Sequence, residues 1–227
     1  MICHKRKIIF IHIPKTAGSS INKYLADSVV LDWKKPNYEV LYGWCPDRKI
    51  HLQHATSKQL LETELVTEDQ WRTYFKFTFI RNPWDRAYSD YLWIVKDTGV
   101  RGSFENYIKK EGPFKKVLSD NSEMSYRGDH LTVQSDFFIA SGKQKIDFIG
   151  KFEKFNNDIE KIKKQLNLNK EFNFHEKKNH YRFNHYSLFY TNSKKNLVDD
   201  IYKKDIEELG YSFEDRKKGI FKLKNIF

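Results

Sequence analysis

The run Lys7-Ile-Ile-Phe-Ile-His-Ile13 constrains this chain more than any other feature. Almost every position in it is apolar, so a strand formed there has no solvent face and must be covered on both sides, as strands of parallel sheets are. Ended by Pro14, the run is far too short to cross a membrane or to serve as the apolar core of a signal peptide. Pro14-Lys-Thr-Ala-Gly-Ser-Ser20 then breaks the pattern, and from Ser19 the positions Ile21, Tyr24 and Leu25 follow helical spacing. The unit reads as strand, glycine-containing turn, helix.

A second junction of this kind follows. Thr67-x-x-Gln70 forms a capping box for a short helix through Trp71 and Tyr74, and Phe75-Lys-Phe-Thr-Phe-Ile80 alternates like a strand. Asn82 offers an N-cap and Pro83 the first helical position, with Trp84, Tyr88, Tyr91 and Leu92 at helical spacing behind them. Ile146 to Ile149 reads as a short strand. Phe155, Ile159, Ile162 and Leu166 mark an amphipathic helix, and a last helix is expected from about Ser193 to Leu209 with Gly210 at its C′ position. Strands alternating with helices predict an α/β fold: a P-loop-like, three-layer domain with a central parallel sheet flanked by helices. Residues 98–145 show no comparable pattern.

At 227 residues and 39% hydrophobic content the chain can bury a sizeable core without staples. No repeat or Pro/Gly/Ser linker divides it, so one domain over residues 1–227 is expected, with a basic C-terminal tail from about residue 215. Cys3 and Cys45 are the only cysteines, which excludes a disulfide framework and a four-cysteine zinc site and fits a reducing compartment. A net charge of +11 suits an anionic partner such as nucleic acid, a membrane surface, a polyanionic glycan or a phosphate-rich cofactor; a solvated lysine-rich surface accounts for it equally.

The first turn lies where backbone N–H groups and the positive end of a helix dipole converge, a natural anion site. Gly18 lets the backbone approach a ligand, Lys15 adds a mobile charge, and Thr16, Ser19 and Ser20 add hydroxyls around Ala17. No Gly-Lys-Ser/Thr follows at the Walker A spacing, which disfavours an ordinary nucleoside triphosphatase. At the second junction Arg81 stands at the carboxyl end of a strand, where ligands of open α/β sheets gather, and Ser89 lies about two helical turns on. Together they could hold a second phosphate. Alternatively Arg81 pairs with a carboxylate such as Asp85, and Ser89 faces solvent.

His12-Ile-Pro-Lys-Thr-Ala-Gly-Ser-Ser20 and Phe79-Ile-Arg-Asn-Pro-Trp-Asp-Arg-Ala-Tyr-Ser89 resemble the sulfotransferases that use 3′-phosphoadenosine 5′-phosphosulfate (PAPS), in particular the carbohydrate branch with its Golgi and soluble bacterial members. Weaker similarity runs through His54-Ala-Thr56, Asp147-Phe-Ile-Gly-Lys-Phe-Glu153 and Asp205-Ile-Glu-Glu-Leu-Gly-Tyr211. The resemblance implies that Lys15 to Ser20 cradle the 5′-phosphosulfate and that Arg81 and Ser89 reach the 3′-phosphate. It implies a hydroxyl acceptor, carried by a carbohydrate, and no metal. Arg216-Lys-Lys-Gly219 is similar to an Arg-Lys-Gly element of the cytosolic branch but lacks its surroundings, so a solvated tail is the expectation there.

In such a reaction Lys15 would stabilise charge on the departing phosphate, and a general base would take the acceptor's proton. His54 is the candidate for its near-neutral pKa and for the matching His-Ala-Thr segment, with His51 and Glu62 as alternatives. His12 is read as part of the strand's packing. The basic and aromatic stretch Asn179 to His185, with Arg182, suits a ring or an anion, although core packing explains it as well. The rivals are a nucleotide-dependent kinase and a non-enzymatic polyanion-binding module. The first lacks its Walker lysine, and the second leaves the paired strand-end segments unexplained. A protein without a signal or membrane segment is expected in the cytoplasm.

Overall fold

The computed structural model describes residues 1–138, 146–172, 183–219 and 222–223. The chain divides into two compact units, Met1–Arg81 with Asp136–Lys177, and Asn82–Ser135 with Lys178–Phe227.

The first unit holds the sheet. Strands β1 (Ile2–Cys3), β2 (Ile8–Ile11), β5 (Phe75–Ile80) and β6 (Phe148–Lys151) lie in the order β1-β2-β5-β6; β2, β5 and β6 are parallel, and the short β1 is antiparallel at the edge. The apolar run behaves as its composition demands, since Ile8 to Ile11 are all buried. Helices α1 (Gly18–Leu25) and α8 (Phe155–Gln165) place Ile21, Tyr24, Leu25, Ile159 and Ile162 in one cluster with Ile8, Phe10, Phe77 and Phe79. A two-stranded ribbon of β3 (Trp44–Cys45) and β4 (Ile50–His51) leads into α2 (Ser57–Glu62) and α3 (Glu68–Thr73). Both helices open on complete capping boxes, Thr56 with Gln59 and Thr67 with Gln70. Thr56 of the His-Ala-Thr segment is therefore a helix cap.

The register positions the site. Ile11 pairs with Thr78 and Ile80 with Lys151, so the chain leaves β2, β5 and β6 from the same carboxyl edge. The expected strand at residues 146–149 begins two residues late. Asp147 uses its carboxylate on the Lys76 N–H (2.7 Å) and ammonium (2.9 Å), and its own N–H donates to the Lys76 carbonyl (2.9 Å), so regular pairing starts at Phe148 opposite Phe77. Lys76 is buried, and Asp147→Ala is expected to destabilise the protein by about 2 kcal/mol, because it leaves that ammonium with the Tyr74 carbonyl but without its carboxylate and frees a strand-end N–H. Urea unfolding checks this; an unchanged midpoint would refute it.

The second unit is helical. Asn82 caps α4 (Pro83–Thr98), its Oδ1 accepting from the N–H groups of Trp84 (3.1 Å) and Asp85 (3.3 Å), and Gly99 closes the helix at φ 73°. Residues 98–135, unreadable from periodicity, form α5 (Phe104–Lys109), α6 (Lys115–Ser119), two 3₁₀ turns and the start of α7 (Gln134–Phe138), elements too short to show a helical stripe. The core is aromatic, with Trp84, Tyr88, Tyr107, Phe114, Tyr190 and Tyr202 all buried. Burial pushes the Tyr107 phenol well above its ordinary pKa, and it donates to Asp90 at 2.7 Å while His130 meets the other carboxylate oxygen at 2.6 Å.

Two expectations are corrected in this unit. The single helix over 193–209 is broken into α9 (Asn192–Ile201) and α10 (Lys203–Glu208), because Tyr202 leaves helical geometry (φ −105°, ψ 23°) to bury its ring and donate to the Leu131 carbonyl. Gly210 does adopt the left-handed conformation of a C′ residue, at φ 66°. The basic segment expected as a solvated tail is docked at its start. The Arg216 N–H donates to Ser187 Oγ at 3.0 Å, and Lys217 is buried with its ammonium 5.5 Å from the Phe213 ring centre. Asp205, from the third similar segment, is a buried structural acceptor for the N–H groups of Gln134 and Ser135 at 2.8 and 2.9 Å.

Candidate active site

The turn after β2 has an alternating backbone conformation of the kind that suits an anion. Lys15 and Ala17 both take the left-handed conformation, at φ 70° and 72°, on either side of Thr16. Such alternation turns successive backbone N–H groups toward one side and forms a nest for an anion. For residues with a Cβ it costs on the order of 1 kcal/mol each, strain of the kind that gathers at functional sites. Ala17 is also the N-cap of α1 and supplies no side-chain cap, so the first turn of the helix adds N–H donors and its dipole to the cradle.

The side chains of the turn divide into those open to solvent and those that build it. Lys15 is partly buried and Ser19 exposed, whereas Ser20 is buried at the start of α1. Thr16, expected as a hydroxyl donor, is fully buried and gives its proton to the Ile13 carbonyl at 2.7 Å. A hydroxyl has one proton, so the Thr16 side chain is committed to the turn itself.

Gly18 serves a close approach, but to a side chain. A Cβ there would fall inside the His12 ring, against Cδ2 and Nε2. His12 is buried, stacks on Phe10 (centroids 5.6 Å, 14° between planes) and meets the buried Asn22 of α1 through its Nδ1 at 3.2 Å. It therefore links strand, turn and helix as well as filling the core.

Three histidines adjoin the turn. The ring of His54 stands edge-on to His12 at 4.7 Å and 82°, and its centre is 6.1 Å from that of His51. His51 is buried in β4 and tilted onto Trp44 at 4.9 Å, whereas His54 is partly exposed. That difference favours His54 over His51 as a proton acceptor. Glu62, the carboxylate alternative, is exposed at the end of α2 with its carboxylate 3.7 Å from Lys58.

Arg81, one residue beyond β5, is 2% exposed. Its Nη1 donates to the Lys15 carbonyl at 2.8 Å, and its guanidinium lies over the Phe152 ring at 4.0 Å. The two segments singled out in the sequence thus meet through a direct hydrogen bond. Ser89 lies in the second unit, partly buried on α4. Of the stretch 179–185, residues 179–182, Arg182 included, lie outside the described residues.

Comparison with protein families decides the assignment, for the profile of the sulfotransferase family matches residues 1–212. The chain belongs to the sulfotransferase family. Curated proteins and solved structures give no match. The match runs from the first strand of this sulfotransferase to the residues after α10, so the anion cradle, Arg81 and the histidine group all fall within it. Its mixed, mostly parallel sheet flanked by helices is the α/β architecture expected for the fold. Among the described residues no helix of the sulfotransferase is long and apolar enough to cross a membrane.

Proposed function

We propose that the chain is a PAPS-dependent sulfotransferase that acts as one domain on a carbohydrate hydroxyl, in a reducing, cytoplasmic compartment. The observation that carries the donor assignment is the pair of left-handed residues, Lys15 and Ala17, at the N-terminus of α1, hydrogen-bonded through the Lys15 carbonyl to Arg81. The nest fits a phosphosulfate, which offers several anionic oxygens to backbone donors, and Arg81 fits a second phosphate. PAPS, when bound, supplies the sulfuryl group, whose bond to the bridging oxygen breaks as an acceptor oxygen attacks sulfur, leaving adenosine 3′,5′-bisphosphate.

The chain's own residues then have these parts. The backbone of Lys15 to Ser20 holds the 5′-phosphate, and the Lys15 ammonium offsets charge as it gathers on the departing oxygen. Arg81 and Ser89 take the 3′-phosphate. His54 Nε2 or Nδ1 accepts the acceptor hydroxyl's proton, a contribution of about two to four orders of magnitude in rate. Free Cys3 and Cys45 suit a reducing compartment. For the acceptor, support comes from the similar carbohydrate branch, the +11 charge, and exposed rings with cations nearby: Trp33 beneath Lys34 at 5.7 Å and Tyr38 beneath Arg48 at 5.8 Å.

The test is isothermal titration of adenosine 3′,5′-bisphosphate into the wild type and Arg81→Ala, with 5′-AMP and ATP as controls. The expected result is micromolar binding that requires the 3′-phosphate and weakens at least about 100-fold in Arg81→Ala. Equal binding of 5′-AMP and the bisphosphate would overturn the donor assignment. Magnesium-dependent preference for ATP would turn it toward a kinase.

A further inference from the structure

We propose that Phe152 is a positioning residue for the donor site, its ring face aiming the Arg81 guanidinium; the proposal rests on the reading of Arg81 as the 3′-phosphate ligand. Phe152 belongs to Asp147-Phe-Ile-Gly-Lys-Phe-Glu153, a segment to which the assigned chemistry gives no task. Because Ile80 pairs with Lys151 in parallel register, the next residues of the two strands, Arg81 and Phe152, emerge side by side. The guanidinium carbon stands 4.0 Å from the ring centre, at stacking distance.

Two contacts with different directions fix the fork. A planar cation lying on a ring can still slide in its own plane, and the hydrogen bond from Nη1 to the Lys15 carbonyl, 2.8 Å, removes that slide. The backbone that carries the ring is itself held in place. The Lys151 N–H donates to Asp158 Oδ2 at 2.9 Å, which ties the 3₁₀ turn Phe152–Lys154 to α8. Phe155, three residues on, packs against the core cluster of this unit, whereas Phe152, equally only partly buried, lies outside that cluster and against the Arg81 guanidinium. A residue retained only for packing would sit where Phe155 does. Placing the cation instead requires a flat aromatic face beside a buried arginine, and that is the arrangement found.

The experiment is calorimetric titration of adenosine 3′,5′-bisphosphate and of 5′-AMP into the full chain as wild type, Phe152→Leu, Phe152→Tyr, Arg81→Ala and the Phe152→Leu/Arg81→Ala pair. Leucine keeps the bulk and removes the π face. Phe152→Leu is expected to weaken the bisphosphate about tenfold while 5′-AMP changes less than about twofold. Phe152→Tyr is expected to bind like the wild type. In the Arg81→Ala background Phe152→Leu should add nothing, since the group it aims is gone. Unchanged bisphosphate binding in Phe152→Leu, or equal weakening of both nucleotides, would overturn the positioning role while leaving the donor site standing. A wild type without preference for the 3′-phosphate would overturn both.

Discussion

Gly18→Ala is expected to lower affinity for adenosine 3′,5′-bisphosphate by more than about 100-fold and to destabilise the fold by about 3 kcal/mol. The added methyl has no space, because its position is occupied by the His12 ring, and that ring is confined by Phe10 and Asn22. Either the ring leaves, breaking the link between β2 and α1, or the first turn of α1 moves and the nest of N–H groups opens. The cause can be isolated. His12→Ala alone should bind the bisphosphate within about tenfold of wild type, and adding Gly18→Ala to it should cost much less than in the wild type, a coupling expected only of residues in contact. Titration calorimetry and thermal unfolding of the four proteins check this. Equal effects of Gly18→Ala in both backgrounds would show that the glycine is needed for something other than His12.

The second large effect is expected at Lys15, on rate rather than binding. The cradle's affinity comes mostly from backbone groups, which Lys15→Ala leaves in place, since alanine already occupies the same left-handed conformation two residues on. The ammonium matters most where charge develops, so its removal should lower single-turnover hydrolysis of PAPS by about 100- to 1,000-fold while bisphosphate affinity falls less than about tenfold. His54→Ala should lower transfer to an acceptor without changing bisphosphate affinity. A Lys15→Ala protein that loses binding and rate in the same proportion would make the lysine a ground-state ligand, not a stabiliser of the departing oxygen.

Much of the fold is legible because its signals are local. The run Ile8 to Ile11, the capping box of Thr67 and Gln70, strand Phe75–Ile80, the Asn82-Pro83 helix start and the C′ glycine Gly210 each depend on residues a few positions apart. The misreadings occur where a distant partner overrides the local pattern. Asp147 delays β6 because Lys76 of another strand claims its carboxylate, and Tyr202 breaks a helix because its ring is buried in the aromatic core with its hydroxyl on the Leu131 carbonyl. Between residues 98 and 135 the elements are too short for periodicity to register.

For the candidate site, sequence alone determined the residue types and their order: a strand-end turn with Lys15 and Gly18, then His54, then a strand-end Arg81. It could not assign their tasks. Thr16 carries the same hydroxyl as a phosphate donor but gives its proton to Ile13, Gly18 makes room for the His12 ring, and Phe152 carries no sequence mark of its contact with Arg81. The Arg81–Phe152 contact depends on the register of β5 and β6, which brings residues distant in sequence to one sheet edge, whereas Thr16 and Gly18 are assigned by the fold of the turn itself. A side chain's chemistry is a local property and can be read from the chain; which partner receives it is set by the backbone path of each turn and by the packing of strands, and only the tertiary structure decides that.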